Sequence, residues 1–478
     1  MFPDDSSPPR RTILTALAFV LASQIHLTLA QAGADTMVFT IIVTRHGVRT
    51  PISPPEHYDW PDWTEVGPKD EHKPYLTGHG YRLMTLMGKF YREAQSDKGL
   101  PVDCSGRTAF VYADTEQRTL ATAHALIEGL CGSPDAFYVF HARDDDAKDP
   151  IFNATDWLSR SGKIDGFASK AAVAAVAGSP YSSLVMQHAD DFAKLQRLLD
   201  TRCPGGGCKP IVSAASLIED GKRPNAANEG KERLAELKGP LETAHSYSED
   251  LFLEFAQCRP EGQMTSLSSE QLRAALEAAM RLHVLAYDVN ARNTYNPLVR
   301  GGTLLAHISA MLDQKAGRTA VFRRTATPDL EGKTLAIFSG HDTQLGALGG
   351  ILNAHWSPEG GIVPDDMPPG SALVFDLVRA PGGEYGVRLH FASMALDQFR
   401  TEKPIEGGIK FTPVEYTGCS DGCVMPLAQF EGLGLTLEKQ GFVDNDWDAF
   451  SSPLERDHPG SSAPLKDPKW TEPQCRGL

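Results

Sequence analysis

The chain has 478 residues, a formal net charge of −15, and an ordinary globular balance of 41% hydrophobic and 22% charged residues. That length exceeds a usual single domain, so two domains or one elaborated domain is expected. The acidic balance argues against nucleic acid or an anionic membrane as the main partner, and an anionic substrate would need a local cationic pocket.

Arg10 and Arg11 precede an apolar run from Ile13 to Ala30, and Ala30-Gln31-Ala32 is a small-x-small cleavage pattern. This is the layout of a secretory signal, so residues 1–32 are read as a removed segment, by a Sec or a Tat route, and the protein as periplasmic or secreted. A buried or membrane-spanning N-terminal helix is the other reading, against which Gln24 and His26 interrupt the run. Eight cysteines in an exported chain suggest disulfides. Near pairs are Cys104 with Cys131, Cys203 with Cys208 and Cys419 with Cys423, which leaves Cys258 and Cys475. On the order of a hundred connectivities are open to eight cysteines, and the short spacings also allow a metal site, although no histidines neighbour them.

Val38 to Thr44 is a β-branched and aromatic run with the composition of a buried strand, ending at Arg45-His46-Gly47-Val48-Arg49. A Pro- and Trp-rich loop follows, then Thr77 as a candidate cap for a helix through Tyr81, Leu83, Met84, Leu86, Met87, Phe90 and Tyr91. Ala109 to Ala113 reads as a second strand, Asp114 to Arg118 as its loop and Thr119 to Cys131 as a helix. From residue 144 to about 290 strands become scarce and helical segments fall near 183–201, 232–257 and 269–290, a mainly helical insert or cap. The Asp144-Asp145-Asp146 run reads as a solvated loop. Lys333 to Gly340 is again a buried strand, ending in His341-Asp342 ahead of a helix over Leu345 to Leu352. Ala372 to Arg379 and Tyr385 to Ala392 read as strands, and the tail beyond Ser451 as irregular. The expected architecture is α/β: a mostly parallel central sheet with helices on both faces, split into residues 33–143 and 291–478 around a smaller helical domain at 144–290.

Three strands thus end in polar clusters that a shared sheet would bring to one carboxyl edge, where ligands bind in open α/β sheets. The chemistry they suit is metal-free hydrolysis of phosphate monoesters. A phosphoryl group in flight spreads negative charge over its equatorial oxygens. Arg45, Arg49 and Arg118 offer permanently charged, bidentate donors matched to phosphate, in place of a divalent ion. His46 can attack phosphorus through a ring nitrogen, and Asp342 can protonate the leaving alkoxide while His341 hydrogen-bonds a phosphate oxygen.

Arg-His-Gly-Val-Arg-Thr-Pro at Arg45–Pro51, followed downstream by His341-Asp342, resembles the histidine acid phosphatase family, branch 2 of the histidine phosphatase superfamily. The similarity extends through Leu76-Thr77, Ala113-Asp114 to Gln117-Arg118-Thr119, Ser339 to Thr343 and Pro368-Pro369-Gly370. It is nearest to the bacterial periplasmic phytases and glucose-1-phosphatases. The resemblance implies a phosphoglycerate-mutase-like fold and no cofactor. It also implies His46 as nucleophile, Asp342 as proton donor and Arg45, Arg49, Arg118 and His341 as phosphate ligands. It leaves the substrate open. Phytases of this group commonly carry a lysine just after the motif, whereas Ile52 to His57 holds no Lys or Arg, which favours a broader or sugar-phosphate enzyme. Gly47 is as in the phytases. Lys69, Lys73, Arg143 and Lys148 are candidate pocket cations. A non-catalytic phosphate-ester binder and a phosphomutase relative are the rival readings.

Overall fold

The computed structural model describes residues 35–52, 74–141, 148–203, 209–220, 232–318, 325, 327–419, 422–443 and 475. β1 (Thr36–Arg45) is followed by α1 (Gly78–Asp97), β2 (Ala109–Ala113), α2 (Gln117–Cys131) and the short β3 (Val139–Phe140). Helices α3 (Ala154–Arg160), α4 (Gly166–Ala177), α5 (Ser182–Gln187) and α6 (Ala189–Asp200) come next. An antiparallel pair, β4 (Leu217–Asp220) and β5 (Ala235–Lys238), precedes α7 (Pro240–Ala256), α8 (Glu261–Met264) and α9 (Ser269–Asn290). Then come α10 (Asn296–Lys315), β6 (Leu335–Gly340), α11 (Asp342–Leu352), β7 (Ala372–Arg379) and β8 (Tyr385–Met394). The order closes with β9 (Ile409–Pro413), β10 (Val424–Pro426) and α12 (Leu427–Lys439).

The main sheet runs β10-β8-β7-β1-β6-β2-β3, with β9 on β8. β3, β2, β6 and β1 are parallel, and β7 to β10 extend the sheet antiparallel from the far side of β1. β1 is the seam between the two halves. Alternation along the strands builds a core on each face. Phe39, Ile41 and Val43 of β1, with Phe110, Tyr112, Phe338 and Phe375, pack on one side against α10, α11 and α12. Ile42, Val111, Ile337 and Val374 pack on the other against α1 and α2. A separate core joins Val173, Leu195, Leu251, Phe255, Leu272 and Leu276 of the helical stretch. Phe252 and Met280 turn the opposite faces of α7 and α9 toward the sheet.

Most expected elements form where the pattern puts them, and the differences include the following. The helix expected over 232–257 is interrupted: residues 235–238 pair as β5, and Gly239 at φ 110° with Pro240 in the first turn starts α7 afresh. The helices expected from Thr119 and Leu345 begin earlier, at Gln117 and Asp342. α10 was not anticipated, because Gly301 and Gly302 interrupt its helical signal. Those glycines are packing positions: a Cβ on Gly301 would lie 2.9 Å from Ala347 Cβ, and one on Gly302 would lie 2.8 Å from the Phe442 carbonyl oxygen.

Thr77 caps α1 by accepting from the Gly80 amide at 2.9 Å. The disulfides Cys104–Cys131, Cys258–Cys475 and Cys419–Cys423 are formed; Cys203 is also bonded, and Cys208 lies outside the described residues. The signal segment, the Asp144 run and the tail beyond Ser451 also lie outside them. No helix among the described residues is long and apolar enough to cross a membrane.

α1 and α2 cross closely enough that a Cβ on Gly129 would meet the Thr85 carbonyl oxygen at 2.1 Å and Gly88 Cα at 2.7 Å. Gly129→Ala should therefore cost ~1–3 kcal/mol in denaturant unfolding. An unchanged midpoint and slope would show that the helices part freely.

Candidate active site

β1 and β6 run parallel and end level, with Arg45 in register with Gly340. The backbone beyond β1 is held from both sides: the His46 amide donates to the Gly340 carbonyl and the Gly370 amide to the His46 carbonyl, each at 2.9 Å. Gly47 is needed at the next position, because a Cβ there would approach Met84 Cγ to 2.7 Å and the Gly80 carbonyl oxygen to 3.1 Å. Its amide donates to Thr122 Oγ1 at 3.1 Å.

The His46 ring is buried, and Nδ1 lies 2.9 Å from the Gly47 carbonyl oxygen. A carbonyl only accepts, so the proton sits on Nδ1 and Nε2 keeps its lone pair. Burial and then the charges of Arg118, Arg49 and Arg45 hold the imidazole well below the usual histidine range. His46 is a neutral base inside a ring of cations.

Each of those cations faces a carboxylate. Arg45 has no exposure; its Nη2 pairs with Glu249 of α7 and lies 3.0 Å from Asp342 Oδ2, while Nη1 donates to the Met367 carbonyl. Arg49 Nη2 donates to the same Glu249 oxygen at 3.0 Å. Arg118, in the first turn of α2, pairs with Glu116. His341 precedes α11 and places Nε2 2.7 Å from Asp114 Oδ2 and 3.5 Å from Glu116. Burial pushes Asp114 up, but the His341 contact prevails and its carboxyl lies below the usual range.

Asp342 is the first residue of α11, and its Oδ1 accepts from the Thr343 amide at 2.8 Å. Burial opposes its charge, yet Arg45 and a hydrogen bond from Tyr287 of α9 hold the carboxyl well below the ordinary value. Behind it, His283 lies 3.6 Å from Glu249 and 3.5 Å from Asp366 and stacks on His245, ring centres 4.6 Å apart.

The six residues singled out in the sequence therefore form one cluster at the strand ends. Lys148 pairs with Asp156 at 2.8 Å, and Lys69, Lys73 and Arg143 lie outside the described residues. Sequence reasoning missed Glu249, Tyr287 and His283, which come from the helical stretch with no motif around them. It also missed the acidic share of the pocket: the arginines are not a bare cationic patch. Asp114 had a signal, since it too follows a strand end. Two clusters among the described residues bring metal-type ligand atoms together, but Cys258 and Cys475 of the first are bonded to each other. In the second, Asp114, Glu116 and His341 are linked mutually and to Arg118.

Residues 36–161 match the histidine phosphatase superfamily (branch 2). Over 418 residues the chain is 26% identical to Phytase AppA of Escherichia coli (strain K12), covering 82% of this chain and 89% of that protein. Hafnia alvei phytase in its apo form has the same architecture, with a TM-score of 0.71 and 26% identity over 85% of this chain and 98% of its own. Its complex with myo-inositol hexakis sulphate gives a TM-score of 0.69 and 25% identity at the same coverage. Fold, strand-end cluster and sequence agree, and together they support a histidine acid phosphatase related to the bacterial phytases.

Burial makes stability depend on pH. His46 and His245 are both depressed, His245 to about 4, by burial and then neighbouring positive charge. Below about pH 6.5 the unfolded chain takes up protons on both that the folded chain refuses, so stability falls as pH falls from there. His245→Phe should flatten that slope by up to ~1.4 kcal/mol per pH unit between about pH 6 and 4. An identical slope in urea unfolding would overturn the assignment.

Proposed function

We propose that the protein is an exported hydrolase of phosphate monoesters that works through a phosphohistidine on His46. The observation that carries this reading is a neutral imidazole with a free Nε2, set among three guanidiniums and beside a carboxyl at a helix start. Arg45, Arg49, Arg118 and His341 would hold the phosphate and take up charge on its oxygens. Nε2 then forms a bond to phosphorus as the ester P–O bond breaks, and Asp342 protonates the departing alcohol oxygen. Water next attacks phosphorus, Asp342 takes its proton, the N–P bond breaks and inorganic phosphate leaves.

Asp342 is ionised in the free site and needs a proton before the first step. A monoester has a second pKa near about 6, so in acid it enters as a monoanion that carries that proton. Its charge also draws on Arg45, which weakens the hold on the Asp342 anion. The first effect favours acid conditions, and the second lets Asp342 keep the proton once it arrives.

The related phytases support phytate as one substrate. A narrower sugar-phosphate specificity is the second reading, favoured by Ile52 to His57, where no Lys or Arg follows the nucleophile motif. Comparing rates on phytate, glucose 1-phosphate and an aryl phosphate separates the two.

His46→Ala should abolish turnover and phosphoenzyme labelling; a wild-type rate would remove His46 as nucleophile. Asp342→Asn should slow alkyl phosphates about 10²–10⁴-fold and aryl phosphates much less, and equal losses would argue against the acid role. Activity should persist in EDTA, because the arginines supply the charge; loss restored by zinc or calcium would contradict that.

A further inference from the structure

Glu116 occupies the helix-capping position ahead of α2, with extended backbone at φ −77° and ψ 142°. A side-chain oxygen there ordinarily accepts from an amide of the first turn. Glu116 makes no such bond. Its carboxylate lies instead across Arg118 and within 3.5 Å of His341 Nε2. One anionic group therefore covers Arg118 and borders His341, two of the groups read above as phosphate ligands.

Two of the carboxylates on the arginines, Glu249 and Glu116, differ in freedom. The Glu249 side chain is 11% exposed and bridges Arg45 and Arg49 from within the protein, so it cannot leave without stranding buried charge. The Glu116 side chain is 46% exposed, so it can turn into water at little cost. Turning it out uncovers the Arg118 donors and leaves the fold untouched, with His341 Nε2 still held by Asp114.

We propose that Glu116 is a built-in competitor for the substrate phosphate, displaced as the phosphate binds, and that it selects against the most highly charged esters. The inference rests on the reading of Arg118 and His341 as phosphate ligands. Two anions cannot share the same donors, so an incoming phosphate must push the carboxylate aside and then bind near its charge. That repulsion grows with the number of phosphates on the substrate and is screened by salt. It lowers affinity without touching the nucleophile or the acid, so its signature lies in KM and product inhibition rather than in kcat.

The test is Glu116→Gln, which keeps the side chain's size and removes its charge. Inhibition by inorganic phosphate at low ionic strength should tighten about five- to tenfold. KM for an aryl phosphate should fall to a similar extent, KM for inositol hexakisphosphate should fall further, and kcat should stay within about twofold. The gain should shrink at high salt. If Glu116 instead serves to position Arg118, the variant will bind phosphate more weakly or lose kcat, and the proposal is overturned; unchanged inhibition overturns it too. Arg118→Ala, assayed in parallel, tests the underlying reading. Phosphate inhibition lost in Arg118→Ala with no gain in Glu116→Gln rejects the competitor alone. Undiminished inhibition in Arg118→Ala rejects the assignment of Arg118 itself.

Discussion

A guanidinium sealed from water must be met by anions, and Arg45 is sealed completely. Its partners are Glu249 from α7, Asp342 from α11 and the Met367 carbonyl from the turn before β7. No two of these come from the same part of the chain. Satisfying one buried charge therefore docks the helical stretch on the sheet, orients the first turn of α11, and seats the chain that leads into β7. Removing Glu249 would leave that charge partly unmet, a far larger disturbance than loss of an exposed ion pair.

The same economy governs the nucleophile. His46 stays neutral because cations surround it, and those cations are tolerated in the interior because carboxylates surround them in turn. An anionic substrate meets a pocket that is close to balanced rather than strongly positive. With a formal chain charge of −15, long-range attraction is weak, so binding has to come from short contacts and from exchange of one anion for another.

Strand-encoded features were legible from sequence. Val38 to Thr44, Ala109 to Ala113 and Lys333 to Gly340 are dense β-branched and apolar runs, and each ends at the charge that matters. Period-two alternation then places both cores. What could not be read lies on helices whose partners are distant. Glu249 is one carboxylate among several on α7, and only the fold brings it against Arg45 and Arg49. Tyr287 reads as a core aromatic until α11 is placed beside it. α10 was hidden because Gly301 and Gly302 weaken local propensity where close packing requires them. The break at Gly239 was missed because a single positive-φ glycine is invisible to an average over a helical window.

Cys258 sits just past the end of α7, the helix that carries Glu249, and its sulfur is joined to Cys475, 217 residues further along. A ribosome delivers Cys258 long before Cys475. The covalent anchor behind this helix therefore cannot close while synthesis is still under way at β6 or β8, and until it does α7 is retained by packing and ion pairs alone. Closure of that anchor is thereby tied to arrival of a tail residue distant from it in sequence, and to an oxidant at that moment. A tag fused near residue 475, or a truncation before it, would act on an arginine clamp that neither one touches.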